Sequence, residues 1–340
     1  MFKFKRNTLA PALLAVCAGL MSAQAAASTV TLRITSASPR QMEDSRALQD
    51  TAKFLEKETN GSVILKPYLS ASLFGEVDGV GAAQNGLVDM AVACTCNFTK
   101  LTKAFLFADL PYVFKSEASA REVWDGDIGA QARASFAEKT NLIALAFAPS
   151  GGGARQFLNT KKAVKVPADI VGMKIRTTAT PLEQGFWKEA GAIPTPVDIS
   201  ETYTALQQGL VDAEHLQPMW TTTLKHDEVV RYATEINALY VYRAVVINKK
   251  AYDKLDAAQK KALTAAMAYF EDKAYQYNEE ERKTSLAEMA KHGVKTVDLS
   301  PDEMKQWEEL GAKFRQLPLA KDSVRAGLVD RVLAAQAGAK

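Results

Sequence analysis

The chain has 340 residues, 47% of them hydrophobic, with 42 Lys+Arg against 39 Asp+Glu and only three histidines and three cysteines. A balance this close to neutral offers no basic face for nucleic acid, and the cysteines are too few for the disulfide framework that stabilises small secreted domains. At about 150 residues per domain, the length calls for two domains or lobes.

The N-terminus reads as an export signal of residues 1–27: Lys3, Lys5 and Arg6 precede an apolar stretch from Leu9 to Met21, and Ala23, Ala25 and Ala27 fit a small-residue cleavage site near 25–27. The apolar stretch is shorter than the ~20 residues that span a bilayer. Cys17 follows Val16 rather than a small residue, which disfavours lipid attachment there. Cleavage removes three basic residues and no acidic ones, leaving 39 of each sign. No later apolar run is long enough to span a membrane. The expected mature protein is therefore exported and neutral.

Beyond the signal, alternation over Val30 to Ile34 predicts a strand, and the stripe Leu48, Ala52, Leu55 predicts a helix over Arg40 to Asn60, stopped by Gly61. Val63 to Leu69 and the apolar Val88 to Cys94 read as strands around a helix from Glu76 to Asn85, an α/β order with parallel pairing. Ser119 to Lys139 reads as one helix and Leu142 to Ala148 as a buried strand, after which Pro149 and the run Gly151, Gly152, Gly153 break the pattern. A second α/β set follows: a strand Met173 to Arg176, a helix Pro181 to Ala190 and a helical stretch Glu201 to Gln208. An apolar strand returns at Tyr240 to Asn248, Ala251 to Lys291 supports one or two long helices, and Ser300, Pro301 and Glu303 form a helix start. Cys94 and Cys96 read as two small buried hydrophobes, because a bridge across one residue closes a tiny ring.

No enzyme signature emerges. The glycine run lacks the Gly-Lys-Ser/Thr of a phosphate loop, no nucleophile elbow is present, and His215, His226 and His292 are too scattered to suggest a metal site. Neither a metal nor any other cofactor is expected. Arginine is more informative, since its planar fork holds a carboxylate through two parallel hydrogen bonds and stays charged. Arg155 follows the glycine run and Arg176 ends an apolar strand, the edge at which α/β proteins bind ligands.

One ordered set of residues resembles a known family. Pro167, Ala168, Asp169, Ile170, then Gly172, Met173, Lys174, Ile175, Arg176, are followed by Gly191, Ala192, Pro194, Thr195 and by Glu201, Tyr203, Ala205, Leu206, Gln207, Gly209, Val211, Asp212. With Gly61, Gly86, Asp89, Leu110 and Pro111, this series is similar to the periplasmic solute-binding subunits of tripartite ATP-independent (TRAP) transporters, the dicarboxylate-binding DctP type.

The resemblance implies an α/β, two-lobed periplasmic binding protein with mixed sheets, hinge strands and a long helix spanning both lobes. The expected boundaries are 28–152 plus 241–280 for lobe I and 153–240 plus 281–340 for lobe II. It implies a small organic acid as ligand, membrane permease subunits as partners, Arg176 as the main carboxylate clamp and Arg155 as the second basic contact. Against sialic-acid-binding members, Ala37, Cys94 and Leu216 stand where polar side chains hold sugar hydroxyls, and Trp220, Phe157 and Tyr240 are expected nearby. Those liners suggest an aromatic or short aliphatic acid. A carboxylate near Glu214 that holds a cation in some members is disfavoured here by the neighbouring Arg155. A ligand-loaded partner for a membrane sensor, or an enzyme reusing the cleft, are the competing readings.

Overall fold

The computed structural model describes residues 29–336, so the export signal, its cleavage site and Cys17 lie outside the described residues. Strand β1 (Val30–Ser36) leads into helix α1 (Glu43–Glu58), which buries Ala47, Leu48, Thr51 and Leu55 along one stripe. Its acidic first turn and Lys57 in the last complement the helix dipole, and Asn60 and Gly61, both at positive φ, turn the chain into β2 (Val63–Tyr68). Helix α2 (Glu76–Gln84) and strand β3 (Met90–Cys94) follow. The single helix expected over Ser119 to Lys139 is two, α3 (Glu117–Asp125) and α4 (Asp127–Lys139). Gly126 between them is extended, and this break brings Gly129 so close to the Trp124 carbonyl that a Cβ there would collide with it.

Strand β4 (Leu142–Pro149) ends at the glycine run, and β5 (Gln156–Asn159), β6 (Lys174–Thr177), α5 (Pro181–Glu189), β7 (Ile193–Pro196), α6 (Thr202–Gln207), β8 (Ala213–Leu216), α7 (Pro218–Thr223) and β9 (Tyr232–Thr234) build the second half. Strand β10 (Tyr242–Asn248) is buried along its whole length. After α8 (Lys249–Asp253), Asp256 caps the 35-residue α9 (Ala257–Lys291), about 50 Å at 1.5 Å per residue. The chain closes with β11 (Lys295–Val297), α10 (Pro301–Gln316), α11 (Pro318–Lys321) and α12 (Leu328–Ala335), α10 starting from a Ser300–Glu303 capping box. No helix among the described residues is long and apolar enough to cross a membrane.

Two mixed sheets result, ordered β2-β1-β3-β10-β4 and β11-β9-β5-β8-β6-β7. In the first, β1 runs parallel to β2 and β3, while β10 lies antiparallel between β3 and β4. The register puts Tyr242 beside Pro149 and Arg243 beside Cys94, so β10 begins at the edge where β1, β3 and β4 end. In the second, Gln156 pairs with Leu216 and Phe157 with Thr234, so β5 begins where β6, β8 and β9 end. The chain therefore passes between the two carboxyl-terminal edges twice, once through 150–155 and once through 235–241. These passes lie side by side, with Ser150 N donating to Val241 O and Arg155 N to Leu239 O, each at 3.0 Å.

Helix α9 ties the halves again: Leu263, Met267 and Phe270 pack in the core under the first sheet, and Met289 packs with Leu158 and Val230 under the second. The tail makes a further pass. Trp307 and Phe314 of α10 pack against Phe157 and Phe186 of the second half. Gln336, fully buried, then bonds Lys115 N, Ser119 Oγ and Val113 O beside α3. The end of the chain, within the stretch 281–340 expected in lobe II, thus seats beside α3. The physical reason is that an amide with two donors and an acceptor finds three of its partners around the start of α3 and the fourth, Val332 O, in α12.

Candidate functional site

Both carboxyl-terminal edges converge on the two crossing passes, the position at which α/β sheets bind ligands. On the second sheet, Arg176 lies in β6 opposite Glu214 of β8. It is 6% exposed. Its Nε donates to Val197 O at 2.9 Å, and no carboxylate among the described residues comes within 4.0 Å of its guanidinium. Burial pulls its pKa below the usual arginine value, with Glu183 and Glu214 opposing that shift. Glu214 is itself engaged, one oxygen 2.8 Å from His226 Nδ1 and the other buried without a partner.

Arg155, in the first pass, is differently placed. Its Nη1 donates to Glu183 Oε1 at 2.9 Å, and its Nε is buried without a partner. Glu183 stands in the first turn of α5, and its second oxygen accepts from both the amide and the hydroxyl of Thr178. Next to this pair, Asp109, Trp187 and His215 line a small cavity with Glu183. Burial raises Asp109 to about 7, against the pull of Arg155. Burial and then Arg155 hold His215 well below the normal histidine range, so it is neutral at pH 7.

On the first sheet, Ala37 follows the end of β1 and Cys94 ends β3, both half-buried. Arg243 is buried beside Cys94 and pairs with Asp44 and Glu76, each at 3.0 Å, while Glu76 also accepts from Cys94 N. Glu43 accepts from Gly151 N at 2.9 Å and so ties α1 to the first crossing pass. Cys94 and Cys96 are joined as a disulfide, contrary to the expectation of two separate buried thiols. The 3-10 turn at Thr95–Phe98 brings the sulfurs together, and neither cysteine is fully buried.

Of the other expected liners, Leu216 ends β8, Trp220 lies against Gly151, and Tyr240 is in the second crossing pass with burial raising its pKa to about 12. The structure thus brings Arg155, Leu216, Trp220 and Tyr240 around the passes, with Arg176 on the adjoining strand edge. Phe157 is elsewhere: it is fully buried in the core between Trp187 and Trp307. The residues that sequence reasoning missed are Glu183, Asp109, His215 and Glu43, and only proximity in space singles them out. Away from the edges, Asp227, Glu288 and His292 come close enough to share an ion, with His292 Nδ1 2.7 Å from Asp227 Oδ2.

Comparison with known proteins agrees with this architecture. The family model DctP, described as bacterial extracellular solute-binding protein family 7, matches residues 35–316. A solute-binding protein of Verminephrobacter eiseniae is 32% identical over 241 residues, 71% of each chain. The C4-dicarboxylate-binding periplasmic protein DctP of Rhodobacter capsulatus is 31% identical over 257 residues, 75% of this chain and 76% of that one. Among solved structures, a TRAP periplasmic solute-binding protein of Ochrobactrum anthropi superposes with a TM-score of 0.84 at 26% identity, covering 91% of this chain and 95% of its own. One from Chromohalobacter salexigens, with bound D-glucuronate, gives 0.80 at 25% identity, covering 90% of this chain and 100% of its own. With its two mixed sheets and the family pattern over most of its length, the chain belongs to the bacterial extracellular solute-binding proteins of family 7, the DctP-type periplasmic binding components of TRAP transporters.

Proposed function

We propose that this protein captures a small organic acid between its two sheets and delivers it to the membrane permease subunits of a TRAP transporter, with Arg176 as the group that holds the carboxylate. The observation that carries the reading is the state of Arg176: a buried guanidinium at the carboxyl end of a strand, bonded to the protein through Nε alone and with no carboxylate in reach among the described residues. Its two Nη groups carry no bond among the described residues and are not sealed from solvent, which leaves them open to a ligand carboxylate. Arg155 is the second basic contact. In this reading the sheets with their covering helices act as lobes that close by bending at 150–155 and 235–241, and ligand favours the closed population. The lobe boundaries are those expected from the sequence, except that residues after about 322 go with the first lobe. The ligand is an organic acid that meets Trp220 and Tyr240, and Phe157 plays no part in contacting it.

The test is a thermal-shift screen of the exported form against aromatic, short aliphatic and sugar acids and neutral sugars, followed by calorimetry on any hit. A ligand at a hundred times its Kd raises stability by about 2.7 kcal/mol. Arg176→Ala is expected to weaken the hit by roughly 10- to 150-fold, the about 1.5–3 kcal/mol of a charged hydrogen bond, with the fold intact by circular dichroism. Affinity that survives within about threefold, or stabilisation by neutral sugars alone, removes the clamp. Quantitative recovery of the intact ligand after long incubation is expected of a carrier and separates it from an enzyme.

A further inference from the structure

We infer that the protein discriminates in favour of monocarboxylates over dicarboxylates of matched length, with Glu183 as the residue that sets the preference. The inference rests on the reading that Arg176 and Arg155 face the ligand. Two arginines near one site suggest at first a dicarboxylate, one carboxylate for each. The geometry argues otherwise, because Arg155 already holds a carboxylate of its own: Nη1 to Glu183 Oε1 at 2.9 Å, with both side chains largely withdrawn from solvent. Glu183 cannot swing away cheaply. Its other oxygen accepts two bonds from Thr178, and it sits in the first turn of α5, where the helix dipole favours a negative charge. Asp109 lies close enough to Arg155 for the two charges to interact.

Arg176 has no such resident partner. Glu214 lies across from it in β8 but is bonded to His226 at 2.8 Å. Of the two guanidiniums, Arg176 alone is without a bonded carboxylate among the described residues, and Arg155 meets a ligand with its charge already paired. A second carboxylate reaching toward Arg155 meets Glu183 in its place, and two like charges brought together out of water repel strongly. A hydroxyl, amide or apolar group at that end meets no such penalty.

Calorimetric titration of the wild-type protein with matched pairs tests this: butyrate against succinate, D-galactonate against galactarate, and D-glucuronate against glucarate. In every pair with measurable binding, the monocarboxylate is expected to bind at least tenfold more tightly. Glu183→Gln, which keeps the shape and frees Arg155, is expected to cut that ratio at least fivefold by improving the dicarboxylate. A dicarboxylate that binds the wild type as tightly as its partner overturns the inference and leaves the carboxylate reading standing. Failure of both members of every pair, along with every other acid tried, overturns that reading and the inference with it. The wild-type ratio decides the matter even if Glu183→Gln does not fold, and an unchanged ratio in a folded Glu183→Gln protein assigns the preference elsewhere and overturns the role of Glu183.

Discussion

Glu43 holds the first crossing pass by a single hydrogen bond to Gly151 N, and its other oxygen is buried without a partner. Burial and the neighbouring Asp44 raise its pKa from 4.5 to about 7. Asp109, Glu117 and Glu271 are raised to about 7 as well, each mainly by burial. Between pH 4.5 and 7 the folded state keeps protons that the unfolded chain has released, so stability falls as pH rises through that window and the loss is complete above about 7. His215, held low, acts in the opposite sense below its normal value of 6.5, but it is one group against four. The melting temperature is expected to be higher at pH 5.5 than at pH 7.5. Glu43→Gln should flatten this slope and stabilise the protein at pH 8 by on the order of 1–3 kcal/mol. A scanning-calorimetry series over pH for both proteins checks it, and parallel curves would show that Glu43 stays ionised in the fold. None of this was legible in the sequence. Glu43 and Glu183 stand in helix first turns, and their partners, Gly151 and Arg155, are set by tertiary packing. Arg155 and Arg176 could be singled out as candidates because arginine at a strand edge or beside a glycine run is chemically specific even when its surroundings are unknown.

The glycine run is constrained both in its backbone and in the space around it. Gly151, Gly152 and Gly153 all have φ between 81° and 104°, and a Cβ on Gly151 would stand 2.6 Å from Gln217 Cβ and 2.9 Å from Trp220 Cδ1. Gly151→Ala must therefore adopt a disfavoured backbone and also displace α7, at a combined cost of about 2–4 kcal/mol. Urea denaturation should show a lower midpoint with an unchanged slope, and ligand affinity should fall with it if the pass bends on closure. Long apolar runs such as β4 and β10 were readable because burial on both faces writes a continuous hydrophobic signal, and α9 was readable from its length. Strands β5, β7, β8, β9 and β11 were not. Each has three or four residues, too few for a period to show, and β7 carries Pro194 and Pro196 as only an edge strand tolerates.

At the scale of the molecule, four stretches among the described residues join the halves: the two passes, α9 and the tail. Gln336 anchors the last of these with four side-chain hydrogen bonds, two as acceptor from Lys115 N and Ser119 Oγ and two as donor to Val113 O and Val332 O. Gln336→Ala removes all four bonds, with Ser119 Oγ keeping its bonds to Ser116, and is expected to cost about 1–3 kcal/mol locally. Hydrogen exchange should quicken over 328–336 and 113–119 while the first sheet keeps its protection. Equal loss of protection in both would show that the tail and the sheet open as one unit.

The place of β10 also governs how the protein can be made. It is the fourth strand across the first sheet, filling the space between β3 and β4, although nearly a hundred residues separate it from Pro149 in sequence. A chain emerging N-terminus first has β1 to β4 in hand early but has an open gap in the middle of that sheet until Asn248 has been synthesised. Pairing across such a sequence distance is slow, and the first sheet cannot close before the β10 residues have been made. That delay acts as an intrinsic timer, keeping the first sheet incomplete until most of the polypeptide has been made.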